Sequence, residues 1–108
     1  MQLLVVVPLQ VEGFHHWEAA PPEVSFLASP HRHIFHLKCK RGVSHADRDV
    51  EIILLKRRIL EYMQSRWGTP CIFGGMSCEM IATELLTEFR LASCEVLEDG
   101  ENGGEVVL

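Results

Sequence analysis

Pro30-His31-Arg32-His33-Ile34-Phe35-His36-Leu37-Lys38-Cys39 is the stretch on which the fold of this chain turns. It opens with two histidines two residues apart and continues as an alternating strand. Successive side chains of a strand point to opposite faces, so His31, His33, Phe35, Leu37 and Cys39 share one face and Arg32, Ile34, His36, Lys38 and Lys40 share the other. A His-x-His pair on one face brings two imidazoles within reach of each other. When unprotonated, they offer two corners of a tetrahedral metal site. The same spacing also fits polar residues at a half-buried strand edge. A histidine pair upstream, His15-His16, weighs toward a site.

Outward from this strand, residues 2 to about 16 form a first strand. Leu3 to Val7 is apolar and β-branched, and Gln10, Glu12 and Gly13 interrupt the run. Pro8 has no ladder N–H to give, which implies an edge position or a bulge. Alternation puts His15 and His16 on opposite faces, so only one of them joins His31 and His33. Glu18 to Val24, with its paired prolines, reads as loop, and Ser25 to Pro30 leads into the second strand, His31 to Gly42.

A polar connection, Val43 to Asp49, precedes helix one, which runs from Asp49 or Val50 to Trp67. Val50, Ile53, Leu54, Leu60, Met63 and Trp67 recur near the helical period and are expected to face the core, with Ile52, Leu55, Ile59 and Tyr62 in a second row. Gly68 and Pro70 stop it. Cys71 to Met76 reads as connector, and Ser77 caps helix two, whose apolar face is Met80, Ile81, Ala82, Leu85, Leu86 and Phe89. Ser93–Glu98 and Glu105–Leu108 are short strands flanking a turn, Asp99-Gly-Glu-Asn-Gly-Gly. The order ββααββ predicts an α+β domain spanning residues 1–108, an antiparallel sheet with two helices on one face.

Composition narrows the function. A net charge of −5 argues against a sequence-neutral grip on nucleic acid, which needs a basic face. No apolar run approaches the roughly 20 residues that span a bilayer, and the N-terminal run lacks the basic start of a signal peptide. Four cysteines (Cys39, Cys71, Cys78 and Cys94) with no C-x-x-C pair suit reduced thiols. The expectation is a soluble, cytoplasmic protein with no nucleic-acid or membrane partner.

The order and motifs together resemble the tunnelling-fold family of 6-pyruvoyl-tetrahydropterin and 6-carboxy-tetrahydropterin synthases. Val11-Glu-Gly-Phe-His15 is similar to the family's Phe-Glu-Ala-Ala-His at the end of strand one, and His31-x-His33 to its His-x-His opening strand two. Glu51-Ile-Ile-Leu-Leu55-Lys56, Ser77-Cys-Glu79-Met-Ile-Ala82 and Val96-Leu-Glu98 are similar to its Asp-Phe-x-x-Leu-Lys, Thr-x-Glu-x-x-Ala and Val-x-Glu. The resemblance implies a zinc ion held by His15, His31 and His33, with His16 as the alternative to His15 if a bulge shifts the register. It implies Glu98 as the anchor of a pterin- or purine-like ring, and a homo-oligomer. Three neutral imidazoles leave zinc an open position for substrate oxygen or water.

Two departures separate the chain from the family's reaction. Where the family has a nucleophilic cysteine before the His-x-His, this chain has Leu27-Ala-Ser-Pro30, and Arg66 to Cys71 stands where an Asp-His pair follows helix one. The usual carriers of nucleophile and proton are missing. Cys71 or Cys78 replaces the thiol only if the fold brings one to the metal; otherwise each is a buried, inert thiol. The readings are a zinc-dependent pterin synthase or lyase-like enzyme, a non-catalytic tunnelling-fold protein with a structural or ligand-sensing metal, and an unrelated α+β interaction domain.

Overall fold

The computed structural model describes residues 1–108. Its strands are β1 (Leu3–His15), β2 (His31–Val43), β3 (Cys71–Gly74), β4 (Ser93–Glu98) and β5 (Asn102–Val107), and its α-helices are α1 (Ile52–Trp67) and α2 (Cys78–Phe89). The sheet runs in the order β3-β1-β2-β4-β5. The α+β class holds. The wholly antiparallel ββααββ layout does not, because β3 enters between the two α-helices and pairs in parallel with β1. A third, 3-10 helix, Pro22–Ala28, replaces much of the expected loop.

Both misreadings have local causes. Cys71-Ile-Phe-Gly74 is four residues between Pro70 and Gly75, and so has the composition of a connector. Its pairing with β1 comes from tertiary packing, which buries Cys71 and Phe73 and turns Ile72 outward. In the 3-10 helix, Pro22 sits near the start, where its fixed φ and missing N–H are tolerated.

The long β1–β2 ladder sets the geometry of the molecule. Its register is unbroken from Leu3↔Val43 to His15↔His31. Val7 and Leu9 of β1 and Phe35, Leu37 and Cys39 of β2 are buried on one face, while Leu4, Val6, Gln10 and Lys38 are exposed on the other. Pro8 does sit at an edge. The His16 N–H bonds the Gly74 carbonyl, so even-numbered residues of β1 turn their backbone groups away from β2; β3 covers that side only at Gly13–His15. Pro8 therefore leaves no ladder bond unmade.

The core is built by helices laid on the buried face. Leu55, Ile59, Met63 and Trp67 of α1 recur every fourth residue and form one buried stripe. This corrects the expected stripe: Ile53 and Leu54 are about half exposed, and Leu55 and Ile59 carry the contact. The first turn of α1 is apolar on all sides, so periodicity there does not define one face. Cys78, Ile81, Ala82 and Leu85 of α2 join the same cluster with Val96 and Cys94 of β4. Gly103 is required by close approach, because a Cβ there would lie 1.9 Å from the Val96 carbonyl oxygen.

Glu51 caps α1, its two carboxylate oxygens accepting from the Ile53 and Leu54 N–H groups. Those bonds hold its pKa below the ordinary 4.5. A depressed carboxylate contributes stability that is complete above the unfolded pKa and is lost as pH falls through the folded one. The thermal midpoint of Glu51→Gln is therefore expected to lie below that of the wild type at pH 7. The gap is expected to close as pH drops below about 4. A gap that is independent of pH would rule out the charged cap as its source.

Candidate metal centre

Strand register alone brings the predicted ligands together. His15 ends β1 and is directly paired with His31, the first residue of β2. His33 lies one pleat further along the same face. Glu98, the last residue of β4, is paired with Phe35 and so points to that face as well. One ligand atom from each of His15, His31, His33 and Glu98 fits within a sphere of contacts no wider than 4.8 Å. His16 stands outside this group; its ring is 3.7 Å from Glu18. With no bulge between β1 and β2, His15 is the histidine that shares a face with the pair.

Each imidazole is oriented by a partner on Nδ1. His15 Nδ1 lies 2.9 Å from the Met76 carbonyl oxygen, His31 Nδ1 lies 2.9 Å from that of Ser29, and His33 Nδ1 lies 2.7 Å from Asp99 Oδ2. Each of those oxygens is an acceptor, so each Nδ1 carries the proton and donates. In the neutral ring this leaves the Nε2 lone pair free. The Nε2 atoms of His15 and His33 are buried and have no hydrogen-bond partner. Buried, unpaired nitrogen is costly unless something binds it. Metal-bound histidines are held in this way, through the ring nitrogen remote from the ion.

The carboxylate sharpens the case. Glu98 Oε2 is 2.8 Å from His15 Nε2, and Oε1 is 3.6 Å from His33 Nε2. Between a neutral imidazole and a carboxylate that contact is repulsive unless a cation, a metal ion or a proton, lies between them. The donor set, three imidazoles and a carboxylate, could hold a metal ion.

The floor of the centre is aromatic. Phe35 meets the His15 and His33 rings edge-on at centroid distances of 5.2 and 5.6 Å, and Phe73 packs on Phe35 at 4.9 Å. Gly13 permits this stacking, since a Cβ there would lie 2.6 Å from the Phe73 ring. Beside the ligands is a cavity of about 480 Å³, whose walls include Trp17, Leu27, Met76 and Met80 as well as His15, His31 and Glu98. Cavities of this size accept a small ligand.

Of the two thiols considered, Cys78 reaches the site. Its Sγ is 3.9 Å from Glu98 Oε2, and burial together with the Glu98 and Glu79 charges pushes its pKa up to about 12. It is a protonated thiol at neutral pH and a poor nucleophile as it stands. Cys71 is buried in the core, its pKa raised to about 11 by desolvation.

Three orienting groups escaped sequence reasoning. The Ser29 and Met76 carbonyls carry no side-chain signal. Asp99 was readable only as a turn former, with φ of 55°. Its Oδ2 accepts from His33 and its Oδ1 from the Ile34 N–H, and the His33 bond, followed by the Ile34 bond, holds its pKa below the ordinary 3.8. No helix of the chain is long and apolar enough to cross a membrane. Among known proteins, no family model matches the chain and no curated sequence matches it at a significant level.

Proposed function

We propose that this chain is a zinc-binding protein of the tunnelling-fold type, in which His15, His31 and His33 hold the ion and the adjoining cavity takes a pterin- or purine-like heterocycle. The observation that carries the metal is the convergence of the three imidazoles, each held through Nδ1 by a separate acceptor and together with Glu98 offering ligand atoms within 4.8 Å of one another. Zinc when bound supplies Lewis-acid polarisation of a ligand oxygen. The chain's own residues do the rest. Met76, Ser29 and Asp99 fix the ring orientations, Phe35 excludes water from below, and Trp17, Met76 and Met80 give the cavity apolar walls suited to a flat ring.

A non-catalytic reading, with the metal as a structural or ligand-sensing part, is favoured by one specific observation. Cys78, the thiol nearest the site, is held protonated, and no other thiol lies at the centre. Assembly into a homo-oligomer, implied by the resemblance, is supported by the exposed Val6 and Val107, which lie on one row across the uncovered sheet face, and by the free edge of β5.

The test is metal content. Tag-free wild-type protein is expected to hold close to one zinc per chain by elemental mass spectrometry, and His31→Ala combined with His33→Ala to hold none. Wild-type protein that stays metal-free after incubation with zinc would sink the proposal. Zinc-loaded protein that binds pterins without converting any of them would select the non-catalytic reading.

A further inference from the structure

We propose that Glu98 is the fourth protein ligand of the metal, so that the centre is closed to neutral, monodentate ligands until the carboxylate is displaced. The inference rests on the metal centre proposed above and changes its character. A three-histidine site alone leaves one position open; the geometry here fills it.

Several independent features point the same way. Both oxygens of Glu98 face histidine nitrogens, Oε2 toward His15 at 2.8 Å and Oε1 toward His33 at 3.6 Å. With Nδ1 of each ring donating to its own acceptor, Nε2 of the neutral ring turns a lone pair toward the carboxylate, at a separation that a shared ion bridges. The only hydrogen-bonding side chain on Glu98 besides these rings is the Cys78 thiol, a weak donor at 3.9 Å. Glu98 receives no strong side-chain donor, and on neutral rings it faces the two lone pairs of His15 and His33. A cation resolves both deficits at once. The backbone fixes this position, because Glu98 is in ladder register with Phe35 and the adjacent Asp99 is tied to Ile34 N and His33.

The chemistry constrains what enters the cavity. An arriving ligand must replace an anionic oxygen on the metal, which a neutral amine or alcohol does poorly. The class that fits is a ligand with an anionic or chelating pair of oxygen donors. Glu98 then cannot anchor a ring while it remains on the ion.

Cobalt(II) provides the test, since its visible spectrum reports coordination number and ligand exchange. Wild type, Glu98→Ala, Glu98→Gln and the His31→Ala/His33→Ala double variant are loaded with cobalt and titrated with imidazole, a neutral monodentate ligand, and cobalt affinity is measured by competition with a chromogenic chelator. The wild-type spectrum is expected to stay unchanged under imidazole, while Glu98→Ala is expected to shift and to bind cobalt at least about tenfold more weakly. Glu98→Gln, which keeps the side-chain shape, guards against a loss due to misfolding and is expected to weaken binding in the same direction. Equal affinity and equal imidazole response in wild type and Glu98→Ala would overturn the Glu98 assignment and leave the three-histidine centre standing. Failure of the wild type to bind cobalt or zinc at all would overturn the centre itself.

Discussion

Zinc added to the metal-free protein at a hundred times its dissociation constant is expected to stabilise the fold by about 2.7 kcal/mol, as binding to the folded state alone requires. For a chain of 108 residues that corresponds to a rise in thermal midpoint of roughly 10–20 °C. The reason lies in how the ligands are distributed. His15, His31 and His33 come from two strands and Glu98 from a third, so the ion ties β1, β2 and β4 together at one end of the sheet. Without it, the ring nitrogens of His15 and His33 lie 2.8 and 3.6 Å from the Glu98 carboxylate with no ion to share. A chelator should reverse the gain, and the double variant lacking His31 and His33 should show none. A midpoint unmoved by zinc in the wild type would mean that the site does not form around the ion.

Phe35→Ala is expected to cost roughly 3–5 kcal/mol, measured by chemical denaturation of the metal-free protein. Phe35 is fully buried, the central aromatic among His15, His33 and Phe73. Truncation leaves a cavity that these rings cannot close without breaking their hydrogen bonds to Met76 and Asp99. That loss is a large share of the 5–15 kcal/mol typical of a domain. Because the same ring floors the metal centre, zinc affinity should fall as well, by about 10- to 100-fold, as when an orienting group is removed. Phe35→Leu retains most of the apolar volume and is expected to fall between the two proteins in both measurements. Loss of stability below 1 kcal/mol with unchanged affinity would show that Phe35 neither seals the core nor supports the histidines.

Much of this arrangement was legible because a strand has a period of two. The alternation from His31 to Cys39 defined the buried face, and it placed two of the histidines correctly without knowledge of any partner strand. Choosing His15 over His16 required the β1–β2 register, a long-range fact that no local pattern holds. β3 was illegible for a different reason: four residues are too few for periodicity to outweigh flanking proline and glycine. The stripe on α1 was misjudged where Ile52, Ile53 and Leu54 follow one another, since consecutive apolar residues point in all directions and only the sheet beneath selects among them. Glu98 was singled out by resemblance, as the anchor of a ring; its face follows from its register with Phe35, and its distance to His15 depends on the crossing of β2 and β4.

The contacts that orient His15 and His33 join residues 61 and 66 positions apart in the chain. Such pairs close late during folding, because long loops must lose their freedom before the contact repays it. His15, His31 and His33 cannot converge until β1 has found β2 along its full length, and Glu98 arrives only once β4 docks. A metal ion here is therefore a witness to completed assembly and not a template for it. Its capture during refolding should follow the slowest phase of sheet formation, so that zinc present from the start should leave the rate of that phase unchanged.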